Sequence, residues 1–152
     1  PNIEPFDEYQ ARLFVAKDVC QKLNIPLIEG QYDHDRWLNA IAGLEKEPEG
    51  GLRCQACYRV RLEECARRSQ ELGIEFITTT LTISPHKDAD VINKIGKSIA
   101  AQAFLVYNLK KQDGFKKANE FARKHDLYRQ HYCGCLYSVQ ADACTKEVKR
   151  EI

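Results

Sequence analysis

Ile74-Glu75-Phe76-Ile77-Thr78-Thr79-Thr80 is the stretch on which the fold turns. β-Branched and aromatic side chains crowd it, and such residues suit a pleated, half-buried surface; with Ser84-Pro85 as a stop, the stretch predicts a strand. Just upstream, Tyr58, Leu62, Cys65, Ser69 and Leu72 mark one helix face that ends at Gly73. Downstream, Lys87 to Ala101 predicts a helix with Val91, Ile92, Ile95 and Ile99 inward, followed by a strand over Phe104-Leu105-Val106-Tyr107. No turn residue separates these last two elements. A helix-to-strand connection normally carries about two to six loop residues, so either the junction is unusually tight or residues are missing between Ala100 and Phe104.

Working outward, Phe6, Tyr9, Leu13, Ala16, Cys20 and Leu23 alternate at three and four, predicting a helix stopped by Asn24. Ile25-Pro26-Leu27-Ile28, bounded by Gly30, predicts a buried strand. Arg36 to Ala42 predicts a short helix carrying Trp37, Leu38 and Ile41 and ended by Gly43; Glu45 to Gly51 is a polar loop rich in breakers. Gly114 opens a helix toward His125, Leu127 to Cys135 is a connecting loop, and a last helix covers Val139 to Val148. Helices alternating with strands predict an α/β domain with a parallel sheet flanked by helices, spanning 1-152 as one unit. Functional groups in such folds gather at the carboxyl ends of the strands.

The chain has 152 residues, 43% of them hydrophobic, enough for one ordinary core. Basic and acidic residues balance to a formal net charge of +1, so bulk charge makes no case for nucleic acid, which must come from local clustering. No run of about 18 apolar residues and no basic-then-apolar leader is present, which argues against a membrane span or a secretory signal and for a cytoplasmic protein. Methionine is absent and Pro1 comes first, which points to a true start further upstream.

Seven cysteines are an odd count for a disulfide framework, and two close pairs stand out: Cys54-Gln-Ala-Cys57 and Cys133-Gly134-Cys135. Each short spacer lets two sulfurs face one centre, so four thiolates brought together by the fold suit a structural zinc or an iron-sulfur cluster; spacing alone leaves both open. A regulatory disulfide within the first pair would leave the second unexplained. Cys54 and Cys57 fall at a predicted helix N-terminus, where backbone N–H groups favour thiolate. Cys20, Cys65 and Cys144 are expected as core filler.

Asp33 precedes a helix and is either a cap or a group able to bind iron or donate a proton. Of the four histidines only His131, two residues before Cys133, is placed to join the thiols. Tyr128, Arg129, Gln130 and Tyr132 combine aromatic platforms, a guanidinium and an amide, a set suited to stacking on an extruded base, with core packing of the tyrosines as the alternative. Arg53, Arg59 and Arg61 flank the first pair, and Lys110, Lys111, Lys116, Lys117, Arg123 and Lys124 cluster near the second in sequence; together they suit a phosphate-contacting rim, singly a solvated surface. Thr78 to Thr80, Ser84 and Lys87 lack the glycines of a phosphate-cradling loop, so ATP use is not expected.

Pro1-Asn2-Ile3-Glu4-Pro5 with Glu8-Tyr9, Tyr32-Asp33, Gly43-Leu44-Glu45, Glu47 to Tyr58, Arg61-Leu62, Thr78-Thr79-Thr80-Leu81 with Ile83-Ser84-Pro85, Lys110-Lys111, and Leu127 to Cys135 resemble the QueH-type epoxyqueuosine reductases. The resemblance implies a Rossmann-like core akin to nucleotide hydrolases and ligases, and a 4Fe-4S cluster beside a second iron ion. Cys54, Cys57, Cys133 and Cys135 would be metal ligands, Asp33, Tyr128 and Arg129 catalytic, and Gln130, Tyr132, Arg53, Lys110 and Lys111 in contact with substrate. The implied reaction is the two-electron reduction of epoxyqueuosine to queuosine in the anticodon loop of tRNA, with electrons from an external donor. Family members carry an upstream first strand with further cysteines that this sequence lacks, and Asn108-Leu109 replaces their usual aspartate and aromatic residue. The rival reading is a non-catalytic zinc-binding RNA module.

Overall fold

The computed structural model describes residues 1–138. The chain divides into two compact units, one of residues 1–35 with 122–152 and the other of residues 36–121, the divisions falling inside two of the helices. The helix expected over Val139 to Val148, with Cys144, lies outside the described residues.

In the first unit, α1 (Phe6–Lys22) forms where the sequence periodicity puts it. Asn24 stops it with a positive φ of 52°. Its N–H reaches Gln21 O at 3.1 Å and the Ile25 N–H reaches Cys20 O at 2.8 Å, the paired bonds that satisfy a helix's last carbonyls. The cost of a left-handed backbone is small for asparagine, which explains the residue type. Phe6, Tyr9 and Tyr32 form an aromatic cluster, with the Tyr9 and Tyr32 rings 4.5 Å apart.

The second unit begins within α2 (His34–Ile41), whose Trp37 and Ile41 are buried. α3 (Leu52–Glu71) follows and closes on Gly73 at φ 64° with the same paired bonds, from Gly73 to Gln70 and from Ile74 to Ser69. α3 packs against α4 (Ala89–Ala100), which Asp88 caps by accepting from the N–H groups of Asp90 and Val91. Their shared core holds Cys54, Tyr58, Leu62, Ala66, Ile77, Ile92, Ile95 and Phe104, with Cys65 packed against it. Spacing of four along α3 aims Cys54, Tyr58, Leu62 and Ala66 one way. Gly96 lets the Phe104 ring lie on α4, since a Cβ there would come within 2.3 Å of that ring. The junction after α4 is tight: Ala101 takes φ 42° and a 3₁₀ turn over Ala101–Ala103 leads directly to Phe104. α5 (Gly114–Lys124) follows, as its periodicity predicts, and the backbone turns helical again over residues 136–138.

The parallel sheet of a Rossmann-like fold is not found: among the described residues, pairing is a single parallel bridge between Ile77 and Phe104. Ile77 N donates to Ala103 O at 2.9 Å and Leu105 N to Ile77 O at 2.8 Å, and there the ladder ends. Two local effects account for this. Thr79 turns its hydroxyl onto the Leu81 N–H and caps a 3₁₀ turn over Thr80–Ile83, diverting the backbone from strand geometry. Ile25, Leu27 and Ile28 are exposed, as are Phe76, Val106 and Tyr107, so the β-prone side chains find no packed neighbours. β-Propensity measures fit to such neighbours, and the architecture is accordingly helical. Among the described residues no helix is long and apolar enough to cross a membrane.

Candidate functional site

The two thiol pairs fall in different units. Cys54 and Cys57 occupy the first turns of α3 and are both buried. The loop before them is drawn tight by Arg53, 5% exposed, whose guanidinium donates to Glu45 O at 2.8 Å and also to Glu47 O. The Glu47 carboxylate accepts the Leu52 N–H at 3.0 Å, and the Gly50 N–H points at Cys54 Sγ at 3.3 Å. The Gly50 N–H and the start of α3 thus face the Cys54 sulfur. Arg53 is thus engaged in shaping the loop.

In the first unit, Cys133 and Cys135 place their sulfurs 3.6 Å apart. Two thiolates at 2.3 Å from one tetrahedral ion stand about 3.8 Å apart, so this pair fits a metal centre. Cys135 is buried, its carbonyl accepts the Ser138 hydroxyl at 2.7 Å, and its contact with Cys133 together with burial pushes its thiol well up. Bound metal reverses that logic by holding the sulfurs as thiolates. Gly134 between them sits at φ 121°, a conformation essentially reserved for glycine.

Around this pair the structure adds two residues that sequence reading did not single out for a role. Arg12 of α1 donates to Tyr132 O and Cys133 O, each at 3.1 Å, and to the Glu8 carboxylate at 2.7 Å. Its guanidinium lies 5.2 Å from the Tyr132 ring centre. Glu8 also accepts the Tyr128 hydroxyl at 2.6 Å. Burial pushes the Glu8 carboxyl up, but the hydrogen bonds of Tyr128 and Arg12 outweigh it and leave it below the usual range. That carboxylate in turn raises the Tyr128 phenol, so Tyr128 keeps its proton. Tyr132 donates to Glu4 O, and burial first, then Glu8, raises its phenol as well. The sequence signals for the two were the place of Glu8-Tyr9 in the family resemblance and the four-residue spacing of Glu8 and Arg12 on α1.

Arg129, Gln130 and His131 are exposed beside Tyr128, and Asp33 is exposed directly before α2. Lys110 donates to Lys87 O at 2.6 Å and Ser84 O at 3.4 Å, edging a shallow cleft of about 460 Å³ with His86, Asp88 and Asn108. Lys111 is exposed. Among the described residues no three His, Cys, Asp or Glu side chains group as a metal site.

The family described as Epoxyqueuosine reductase QueH matches residues 1–141. The chain belongs to that family. It is 35% identical over 148 residues to the Epoxyqueuosine reductase QueH of Streptococcus pyogenes serotype M1, covering 91% of this chain and 58% of the relative. Identity to the protein of the same description from Helicobacter pylori is 38%, over 92% of this chain and 40% of the relative. The Thermotoga maritima relative is 30% identical over 91% of this chain and 76% of its own length. The chain thus spans well under two thirds of several curated relatives it matches. The QueH resemblance drawn from the thiol pairs and the Tyr-Arg-Gln element is borne out at the level of family.

Proposed function

We propose that the protein reduces epoxyqueuosine in tRNA to queuosine, a cytoplasmic oxidoreductase step in tRNA processing. The observation that carries the reading is the pair of half-buried Cys133 and buried Cys135, sulfurs 3.6 Å apart, shortly after an exposed Tyr-Arg-Gln run in a chain of this family. The reaction breaks both C–O bonds of the epoxide, forms a C=C bond, and takes up two electrons and two protons to release water. Cys54, Cys57, Cys133 and Cys135 are the metal ligands in this reading. An iron-sulfur cluster with a second iron supplies single-electron transfer and Lewis acidity when bound. The electrons come from an external donor.

The chain's own groups have distinct tasks. Tyr128 keeps its phenol proton in a hydrogen bond to Glu8, and in this reading it turns that proton to the departing oxygen when substrate takes the place of the carboxylate. Asp33, exposed in the same unit, is assigned to the site either as an oxygen ligand to iron or as a proton-transfer group. Arg129 and Gln130, both exposed, are suited to grip the backbone and base edges of an unstacked anticodon nucleotide, with Tyr132 at their base. Lys110 and Lys111 contribute phosphate contacts. Arg53 supports the reading by holding the loop that delivers Cys54.

The test has two arms. Protein reconstituted without oxygen should show broad visible absorption that serine at any of the four positions abolishes, and tRNA from a strain lacking the gene should accumulate the epoxide. Unchanged queuosine in a strain with no second reductase rejects the reading. About one zinc per chain and no iron selects the non-catalytic RNA module instead.

A further inference from the structure

We propose that Arg12 is the positioning residue of the Cys133 and Cys135 pair, with Glu8 holding Arg12 in place; the inference rests on the metal-binding reading of that pair. The segment Tyr132–Cys135 lies outside any helix or strand, directly before the helical residues 136–138, so no ladder fixes its peptides. Instead four consecutive carbonyls are each tied by a separate donor. Tyr132 O and Cys133 O receive the two terminal nitrogens of Arg12, each at 3.1 Å. Gly134 O receives the Glu4 N–H at 2.8 Å, and Cys135 O the Ser138 hydroxyl at 2.7 Å. Every carbonyl of the thiol segment thus has a donor.

Arg12 holds two of the four carbonyls through one rigid planar fork, which lysine cannot reproduce. Its third donor, Nε, is fixed by Glu8 at 2.7 Å, one helical turn earlier on α1. The hairpin is also fitted to the guanidinium from the other side: a Cβ on Gly134 would stand 3.0 Å from Arg12 Nη1. Arg12 therefore spans from a helix to the two peptides that set the Cys133 sulfur's direction relative to that of Cys135. Groups that orient metal ligands without touching the metal commonly change affinity by about 10- to 100-fold when removed.

The experiment is an anaerobic cobalt(II) titration of the full chain, read by sulfur-to-cobalt charge-transfer absorption, with far-UV circular dichroism as the folding control. Arg12→Ala should bind cobalt about 10- to 100-fold more weakly than wild type with a shifted band, and millimolar guanidinium ion should restore part of the affinity. A merely structural arginine gives neither the band shift nor the rescue. Arg12→Lys, which keeps the charge and the stem, should still be weakened about tenfold, and it replaces the alanine variant if that one does not fold. Wild-type affinity and band in Arg12→Lys or Arg12→Ala overturns the positioning role while leaving the metal reading intact. If Cys133→Ser with Cys135→Ser leaves the wild-type titration unchanged, the metal reading falls and the positioning role falls with it.

Discussion

The two thiol pairs reach a defined geometry by opposite routes. Cys54 and Cys57 ride on α3, whose position follows from the core it shares with α4, and only the approach loop is held by side chains, those of Arg53 and Glu47. Cys133 and Cys135 belong to an irregular segment held by hydrogen bonds to α1 and to Ser138. One pair is placed by packing, the other by directed polar contacts. Packing is tolerant in direction and costly to disturb, whereas a fork of hydrogen bonds sets direction closely and is lost with one residue.

The largest effect that sharpens this contrast is chemical. Serine at Cys133 or Cys135, and equally at Cys54 or Cys57, is expected to lower iron content at least about 100-fold, beyond the usual reach of an outer contact, as measured by metal analysis of anaerobic protein. Full iron content in any one of these variants removes that cysteine from the ligand set.

Next comes the packing side. Gly96→Ala drives a methyl to within 2.3 Å of the buried Phe104 ring, so it should cost about 3 kcal/mol, read by denaturant unfolding and by amide exchange over residues 36–121. Exchange over residues 1–35 should change little, and equal loss in both units breaks the contrast. Arg53→Met removes the donor from Glu45 O and Glu47 O and is expected to cost about 1.5–3 kcal/mol in the same measurements while making Cys54 more reactive to alkylation.

Gly134→Ala acts on the polar side. At φ 121° any side chain is strained, and the added methyl meets Arg12 Nη1 at 3.0 Å and Ile3 Cγ1 at 3.1 Å. A cost of about 1–3 kcal/mol is expected, confined to residues 1–35 and 122–138 in exchange experiments, together with weaker metal binding. A stable Gly134→Ala with wild-type affinity shows the hairpin to be looser than the fork implies.

The smallest effect is in acid. Glu64 is lowered from 4.5 to about 2, first by the hydrogen bond from Arg67 and then by Arg36. A carboxyl lowered on folding stabilises fully above its unfolded value, and that contribution fades as pH falls from 4.5 toward 2. Both partners are largely exposed, so Glu64→Gln should cost less than about 1 kcal/mol at pH 7 and nothing near pH 2. An undiminished cost at pH 2 contradicts this assignment.

Much of the helical layout was legible. Periodicity located α1, α3, α4 and α5, and Asn24 and Gly73 marked two of their ends, because amphipathic spacing and left-handed stops are local properties. The strands were not: Ile25 to Ile28 and Ile74 to Thr80 carry β-prone residues, but a strand exists only against a neighbour, and one bridge at Ile77 is all that forms among the described residues. In the candidate site the cysteines and Tyr128 to Tyr132 stood out by type and spacing. Arg12 did not, because its partners lie about 120 residues away along the chain.

By itself, then, the sequence determined where most of the helices run, to which family the chain belongs and which side chains are candidates for the site, since residue type, periodicity and motif order are all written along the chain. Tertiary structure alone decided that the β-prone segments among the described residues pair only at Ile77 and Phe104, that Arg53 serves its own loop, and that Arg12 and Glu8 hold the carbonyls of the second thiol pair. The reason is physical: a hydrogen bond or a sheet partner is defined by distance and direction in space, and those are settled only when remote parts of the chain meet.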